Sequence, residues 1–306
     1  MQYRYFIYFW QTSNFCGQGF EMYIRAGIDG QIGERVIKVK LKFLGTAAAE
    51  GWPAVFCQCQ ACRKAKEIGE KNIRTRSSVL IDDKYLVDFP PDTYIHTLKE
   101  GIDLGQVEHL LITHSHQDHF YPQELAMRGK PYAHLQAEQK LQVWGNEVVT
   151  DLIKAGDYDT VFAHKVHPGK VFNAGELEIT ALQAEHMKSE DALLYIIKKN
   201  EQSIFYGHDS GWYPEETWKQ LENRDLDCVI FDCTYGPLDG GGHMGIPTIL
   251  KAKEKLFEIG AISEKSILVI THFSHNGGYL HEDLAVHVAD DGLIVAYDGM
   301  LLEIGI

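Results

Sequence analysis

Apolar and polar residues alternate clearly from residue 37 onward. Every second residue over 37–43 is apolar, and lysines occupy the positions between them, which is the period of a strand with one buried face. Two short apolar stretches, 78–81 and 85–88, flank a pair of aspartates and predict a hairpin. The pattern therefore predicts that a folded domain opens with strands.

Strand patterns continue along the rest of the chain. The apolar stretch 110–112 runs directly into Thr113 and His114, as a buried strand does when it delivers a loop at its carboxyl end. Further strands are predicted at 177–184, 193–197, 204–206, 229–231, 267–270 and 293–297. Helical patterns lie near 214–222 and 246–259. Many strands with few long helices favour two stacked sheets faced by helices over one doubly wound sheet.

No linker or low-complexity segment divides the chain of 306 residues. We therefore expect one mixed α/β domain over 37–306. Residues 1–36 are rich in aromatic side chains but have no regular period. We interpret them as an extension that either covers its own domain or lies across a neighbouring subunit in a homodimer. The stretch 130–172 matches no pattern that would place it within the domain.

Charge and hydropathy exclude several classes of protein. The chain has 29 Lys and Arg against 43 Asp and Glu, a net charge of −14, which repels a long nucleic acid. No stretch approaches the roughly 20 apolar residues of a membrane span. The aromatic run 5–10 lacks the cleavage pattern of a secretory signal. We expect a cytoplasmic protein that contacts neither membrane nor long nucleic acid.

One loop concentrates side chains that bind metals. His114, His116, Asp118 and His119 lie within six residues, directly after the predicted strand at 110–112. Imidazole and carboxylate groups are ligands of divalent ions. A loop that is merely polar is the alternative, but the apolar strand before it and the alternate spacing favour a metal site. One loop cannot complete two coordination spheres, so other segments must supply ligands.

Three later residues follow predicted strands in the same way. His186 comes after 177–184, Asp209 after 204–206, and His272 after 267–270. Taken singly, each could be a surface or capping residue, and His208 could be mistaken for the neighbouring ligand. Because all of them lie past the carboxyl end of a strand, their joint pattern favours a shared site.

The histidine loop resembles the metallo-β-lactamase superfamily, whose His-x-His-x-Asp-His pattern it matches residue for residue. The resemblance spans about 37–300 and implies an αββα sandwich with a dinuclear centre. It implies these positions: His114, His116 and His186 on one ion, Asp118, His119 and His272 on the other, Asp209 bridging, and Asp88 orienting a ligand histidine. Such mixed ligand sets accept zinc, manganese or iron.

A second cluster, Cys57-x-Cys59-x-x-Cys62, places three thiols within six residues. Three thiolates need a fourth ligand for tetrahedral zinc, and three reduced loop cysteines are the alternative. A Gly-Thr turn, this cluster, Arg-Ser-Ser over 76–78 and the histidine loop follow one another as in the phosphoribosyl cyclic phosphate phosphodiesterases of the carbon-phosphorus lyase pathway. That resemblance implies a structural zinc whose fourth ligand is His275.

His243 lies in a glycine-rich segment between the strand at 229–231 and the helix at 246–259. Phosphodiesterases of the superfamily carry a histidine in this place that contacts phosphate or protonates the leaving oxygen, a role that imidazole fits near neutral pH. A solvated loop histidine is the alternative. We expect Asp118 and His243 to be catalytic.

The resulting hypothesis is a metal-dependent phosphodiesterase. It would hydrolyse a small cyclic ribose or nucleotide phosphodiester with a hydroxide held by two metal ions. The alternatives are a nuclease, a thioester or lactam hydrolase of the same superfamily, or a non-catalytic metal-binding protein. The complete set of seven ligand-type residues in the dinuclear pattern favours an enzyme.

Overall fold

The structure is a computed structural model and describes residues 6–9, 22–25, 38–136 and 139–305. Its strands are β1 (Phe6–Phe9), β2 (Met22–Arg25), β3 (Val39–Gly45), β4 (Ser78–Ile81), β5 (Tyr85–Val87), β6 (His109–Leu111), β7 (Leu141–Gly145), β8 (Val161–Lys165), β9 (Val171–Ala174), β10 (Leu177–Gln183), β11 (Leu193–Lys199), β12 (Gln202–Gly207), β13 (Cys228–Asp232), β14 (Ile267–Thr271), β15 (Leu293–Val295) and β16 (Leu301–Ile304). Its α-helices are α1 (Gln60–Ile68), α2 (Thr93–Glu100), α3 (Glu147–Gly156), α4 (Glu215–Leu221), α5 (Ile246–Glu258) and α6 (His281–His287).

Fourteen of these strands form two seven-stranded mixed sheets. The N-terminal sheet has the order β16-β3-β4-β5-β6-β7-β8, and the C-terminal sheet has the order β15-β14-β13-β12-β11-β10-β9. In each sheet a group of antiparallel strands is followed by parallel ones: β5 to β8 in the first and β12 to β15 in the second. Parallel strands align their carboxyl ends, so each sheet gathers loops at one edge.

The inner faces of the two sheets share one core. Phe43 and Leu111 from the N-terminal sheet pack in the same buried cluster as Tyr195 and Ile230 from the C-terminal sheet. Alternation along β3 explains this packing, since its apolar residues are buried and its lysines are not. The central layer of the fold is therefore sheet on sheet.

Helices cover the outer faces. Trp218 of α4, Ile249 of α5 and Leu284 of α6 pack with the outer residues of the C-terminal sheet, and Val149 of α3 packs with those of the N-terminal sheet. The result is a helix-sheet-sheet-helix sandwich, which confirms the predicted fold class. The predicted strands and the two predicted helices are present, with ends that differ by a few residues.

The stretch 130–172 contains β7, α3 and β8, which the apolar pattern does not reveal. The side chain of Asn146 accepts a hydrogen bond from the Val149 amide at 3.0 Å and caps the start of α3. β7 and β8 complete the edge of the N-terminal sheet, and α3 packs on its outer face. β7 and β8 have five residues each and α3 has ten. Each element therefore repeats its apolar period too few times to be distinguished from the neighbouring loops.

Two short strands precede the sandwich. β1 and β2 pair antiparallel, whereas the aromatic pattern of this segment predicts no regular element. The other residues of the predicted extension 1–36 lie outside the described residues, and its role stays a prediction. Within the described ranges, no helix is both long enough and apolar enough to cross a membrane.

Candidate metal sites

The candidate ligands of the dinuclear site lie at one edge of the sandwich. β10 and β12 both pair antiparallel with β11, and β12, β13 and β14 pair in parallel, so β10, β12, β13 and β14 all run in one direction. His186, Asp209 and His272 follow β10, β12 and β14. The histidine loop at 114–119 follows β6 of the other sheet and reaches the same edge.

The backbone turns sharply where these side chains leave their strands. Asp88, Asp209 and His272 have positive φ angles of 61°, 55° and 62°, in the left-handed region that non-glycine residues rarely adopt. Each lies just past the end of a strand. Such strain persists only where surrounding structure enforces it, and it concentrates at functional sites.

One group of ligand atoms combines the histidine loop with His186 and Asp209. His114 Nε2 lies 2.9 Å from His116 Nδ1, and His186 Nε2 lies 3.2 Å from the same atom. Asp209 Oδ2 lies 3.3 Å from His114 Nε2. One ligand atom from each of the four residues lies within 4.8 Å of the others, close enough to surround one ion.

A second group combines Asp118, His119, Asp209 and His272 within the same limit of 4.8 Å. His119 Nε2 lies 3.1 Å from Asp118 Oδ2 and 2.9 Å from Asp209 Oδ2. His272 Nε2 lies 3.9 Å from Asp118 Oδ2. Because Asp209 belongs to both groups, it has the position of a bridging ligand. These are the groupings that the resemblance to the metallo-β-lactamase superfamily implies, and their occupancy by two ions stays a prediction.

Unsatisfied polar atoms indicate that both groups fit divalent ions. His119 Nε2, His272 Nε2 and Asp209 Oδ1 are buried and make no hydrogen bond with the described residues. Buried polar atoms are nearly always satisfied, so those that are not call for an explanation. Imidazole nitrogen and carboxylate oxygen together are a donor set that zinc, manganese and iron accept.

Asp88 and His208 lie behind the ligand groups. Asp88 Oδ2 lies 2.7 Å from His119 Nδ1, and Asp88 Oδ1 accepts a hydrogen bond from the Thr113 amide at 2.8 Å. This contact directs His119 Nε2 into the site, as expected for an orienting carboxylate. His208 belongs to neither group, and its Nε2 lies 3.0 Å from the hydroxyl of Tyr206.

The electrostatics around Asp209 and His114 favour the forms of these two side chains that bind metal. Burial would raise the pKa of Asp209, but the His272 imidazole and its neighbours hold that pKa well below its usual range. Burial, together with the nearby imidazole of His119, lowers the pKa of His114 well below its usual value. A deprotonated carboxylate and a neutral imidazole are the forms that bind metal.

Asp232, which the sequence reasoning missed, joins two of the predicted residues. Its Oδ2 lies 2.9 Å from His243 Nδ1 and 3.5 Å from His272 Nδ1. The Thr234 and Met244 amides donate to its Oδ1 at 2.8 and 3.1 Å. A signal was present, because Asp232 is the last residue of a buried strand and resembles the other candidates in that respect.

Glu190 is a second residue that the sequence reasoning missed. Its Oε1 accepts hydrogen bonds from the Ser115 hydroxyl at 2.5 Å and the Ser115 amide at 3.1 Å, and its Oε2 accepts one from the Asn146 amide group at 2.5 Å. Ser115 lies between two ligands of the histidine loop, and Glu190 lies four residues after His186. Glu190 therefore connects the two segments that form the first group.

The dinuclear groups open into a cavity of about 310 Å³. Its lining includes His243, whose side chain is 25% exposed. Burial would lower the pKa of His243, but the neighbouring carboxylates of Asp209 and Asp232 raise it to about 11. Because Nδ1 contacts Asp232, Nε2 is the ring nitrogen that can contact a molecule in the cavity.

The cysteine cluster forms a separate candidate site with His275. Cys57, Cys59, Cys62 and His275 each place one ligand atom within 4.8 Å of the others. His275 Nδ1 lies 3.7 Å from Cys57 Sγ and 3.5 Å from Cys59 Sγ. Burial would raise the pKa of Cys59, but the hydrogen bond from the Cys62 amide and further contacts lower it to about 6. This set of three thiols and one imidazole fits tetrahedral zinc.

The chain was compared with known proteins. Residues 85–273 match the family model described as the beta-lactamase superfamily domain. A search of curated proteins found no significant match. A diphosphatase from the PhnP family is similar in structure, with a TM-score of 0.70, 22% identity, and coverage of 89% of this chain and 99% of that one.

Two other solved structures are similar over most of their length. Zn²⁺-bound PqqB from Methylobacterium extorquens has a TM-score of 0.68 at 19% identity, covering 86% of this chain and 99% of that one. The short form of human tRNase Z has a TM-score of 0.58 at 19% identity, covering 87% and 100%. The family model covers more than half of the chain, and the two-sheet sandwich agrees with it. The chain therefore belongs to the beta-lactamase superfamily and has the metallo-β-lactamase fold.

Proposed function

We propose that the protein is a phosphodiesterase that hydrolyses a small phosphodiester, such as a cyclic phosphate of ribose or a nucleotide. The observation that carries the proposal is the convergence of seven ligand-type side chains, five of which line one cavity together with His243. Two bound divalent ions would ionise an attacking water molecule and offset the negative charge of the phosphate.

Different residues of this chain would hold the two active-site ions and the structural zinc. His114, His116 and His186 would hold one ion, and Asp118, His119 and His272 the other, with Asp209 shared between them. Zinc, manganese and iron all suit this donor set. Cys57, Cys59, Cys62 and His275 would hold a structural zinc.

His243 is the proposed proton donor to the leaving oxygen. Asp232 accepts a hydrogen bond from its Nδ1 at 2.9 Å, which fixes the ring and leaves Nε2 to face the cavity. The same carboxylate lies 3.5 Å from His272 Nδ1. Asp232 therefore sets the relative position of the proton donor and of one metal ligand.

Size and chemistry both support a small phosphodiester. A cavity of about 310 Å³ lies at the lower end of the range for small-molecule sites. The diphosphatase and the tRNase Z among the similar structures act on phosphorus compounds by their names. A positive dinuclear site would attract one phosphate despite the net charge of −14.

A turnover panel tests the proposal. Purified protein supplied with zinc or manganese is assayed with ribose and nucleotide cyclic phosphates, an aryl phosphodiester, a thioester and a lactam. We expect a phosphodiester to be cleaved fastest. Faster cleavage of the thioester or the lactam would assign the protein to another hydrolase class, and no cleavage of any substrate would favour a metal-binding protein.

Metal analysis tests the ligand assignment independently of activity. We expect three ions per chain, two removed by mild chelation and one retained by the cysteine cluster. Activity should fall with the loss of the first two ions. A fully active protein with one tightly held ion would contradict the assignment.

A further inference from the structure

One wall of the cavity is formed by residues outside both dinuclear groups. Glu50, Ser274 and Asn276 line this wall, and we refer to them as the Glu50 wall. Glu50 Oε1 accepts a hydrogen bond from the Ser274 hydroxyl at 2.5 Å, and the Asn276 side-chain amide donates to the same hydroxyl at 3.1 Å. These bonds fix the Glu50 carboxylate beside the metal groups.

The two oxygens of Glu50 have different surroundings. Oε1 contacts Ser274 and lies 3.7 Å from His275 Nε2, so it faces the cysteine site. Oε2 makes no hydrogen bond with any of the described residues, and the side chain is 32% exposed. A carboxylate oxygen held at the wall of a cavity and free of partners is ready to accept a hydrogen bond from a bound molecule.

The Glu50 wall contains no cationic side chain. None of the described residues that line the cavity is a lysine or an arginine, and the His243 imidazole lies at the metal groups, 3.1 Å from Asp209 Oδ1. Arg76 lies beside the wall and donates to the Ala49 carbonyl at 2.8 Å, but its guanidinium is paired with Asp92 at 3.0 Å. A second phosphate placed at the Glu50 wall would therefore meet the Glu50 carboxylate and no lysine or arginine of the cavity lining.

We propose that the Glu50 wall selects substrates in which the phosphodiester carries a neutral, hydroxyl-bearing group and rejects those that carry a second phosphate. A substrate hydroxyl donates to Glu50 Oε2, as sugar hydroxyls readily do. A hydrogen bond to a charged acceptor is among the stronger ones in proteins. A second phosphate in the same place would suffer like-charge repulsion in a partly desolvated cavity.

This inference rests on the proposed phosphodiesterase activity and deepens it. It specifies the charge of the preferred substrate, whose only anionic group is the reacting phosphate. Specificity of this type needs a repulsive element as well as an attractive one, and Glu50 supplies both.

The test compares two substrates that differ by one phosphate group. One is a nucleoside 2′,3′-cyclic phosphate with a free 5′-hydroxyl, and the other is the same compound with a 5′-phosphate. With the metal-loaded wild-type protein, we expect kcat/KM to be at least about tenfold higher for the 5′-hydroxyl compound. Equal rates, or a preference for the 5′-phosphate, would overturn the inference without requiring any variant.

Substitutions at Glu50 sharpen the test. Glu50→Gln should bring the ratio of kcat/KM for the 5′-hydroxyl compound to that for the 5′-phosphate compound close to one, because the repulsion of the second phosphate is removed. Glu50→Lys should reverse the ratio, because the lysine attracts that phosphate. Glu50→Ala should raise KM for the 5′-hydroxyl compound by about tenfold. The KM for bis(4-nitrophenyl) phosphate should rise by a smaller factor, since that diester has no hydroxyl to donate.

Controls separate this role from a structural one. Asp239 is an exposed carboxylate that lines a neighbouring cavity, and Asp239→Asn should leave the ratio at its wild-type value. Zinc content and thermal midpoint are measured for every variant. Loss of zinc in Glu50→Gln with an unchanged ratio would assign Glu50 to the cysteine site and overturn the inference.

The experiment also distinguishes the inference from the proposed function. If the wild-type protein cleaves bis(4-nitrophenyl) phosphate but treats the paired substrates alike, the Glu50 inference is wrong and the phosphodiesterase stands. If it cleaves no phosphodiester at all, the proposed function is wrong and the inference falls with it.

Discussion

The two candidate metal sites are assembled in opposite ways. Three of the four ligand residues in the cysteine site lie within six residues of one another, and only His275 comes from elsewhere. The dinuclear ligands come from four separate segments between His114 and His272 and from both sheets. One site is mostly local, whereas the other exists only when the sandwich has formed.

The dinuclear ligands are also more deeply buried than the ligands of the cysteine site. Five of the seven dinuclear ligands are buried and His116 and His186 are half-buried, whereas Cys62 alone is buried among the four cysteine-site ligands. The two sites nevertheless share one loop, because His272 and His275 lie three residues apart. The cysteine site therefore joins the loop before α1 to the loop that also carries a dinuclear ligand. We infer that the local site stabilises and the convergent site performs chemistry.

The largest expected effect is on activity, from Asp118→Ala. Loss of one ligand should lower kcat for an aryl phosphodiester by about a thousandfold, since several kcal/mol of charge stabilisation depend on the ion. The thermal midpoint and the zinc retained by the cysteines should change little. Steady-state kinetics and metal analysis check both expectations, and near-normal turnover would refute the role of Asp118.

Cys59→Ser should have the reverse profile, with stability affected first. We expect the retained zinc to be lost and the free energy of unfolding to fall by at least about 4 kcal/mol, which is within the range for loss of a metal site. Cys228 is buried in β13 and lies outside the cluster, so Cys228→Ala should keep the zinc. Chemical denaturation measures the change in stability, and zinc analysis measures the metal content. An unchanged zinc content in Cys59→Ser would contradict the assignment of the cysteine site.

Glu190→Ala tests how the convergent site is held together. Without the hydrogen bonds to Ser115 and Asn146, the affinity for one of the two removable ions should fall by about tenfold, the usual effect of losing an outer partner of metal ligands. The retained zinc should be unaffected. Chelator titration measures the affinity for the removable ions. Glu147→Gln, on the exposed side of α3, is the matched control. Equal metal affinity in both variants would contradict the role.

The last expected effect concerns the segment that supports the shared loop. The Asp298 carboxylate accepts hydrogen bonds from Thr46 and Thr75, and the Thr46 carbonyl accepts one from the Phe273 amide within that loop. Burial raises the pKa of Asp298 to about 6 from its ordinary value near 3.8. The folded state therefore retains a proton that the unfolded state releases first as the pH rises.

It follows that the contribution of Asp298 to stability falls as the pH rises from about 4 to about 6. Relative to Asp298→Asn, the wild-type protein should lose about 2 kcal/mol of unfolding free energy between pH 4 and pH 7. Urea unfolding of both proteins across this range measures the difference. A difference that is constant with pH, or that grows in favour of the wild-type protein, would contradict the direction of the pKa shift.

Sequence reasoning identified those parts of the site that have a local signature. The histidine loop follows a buried strand and the cysteines lie close together, so both can be recognised in a short window. Asp232 and Glu190 were missed because neither belongs to a motif, and their partners lie far along the chain. The segment with β7, α3 and β8 was missed because its elements are short.

The amino-acid sequence by itself determined the kinds of ligand, their order and the strands that carry them, because hydrophobic period and local spacing are properties of short segments. Only the tertiary structure decided how closely these side chains approach one another, how Asp232 links His243 to His272, and which carboxylate faces the cavity. The reason is geometric: side chains separated by many residues meet only where the strand ends of two packed sheets are brought to one edge.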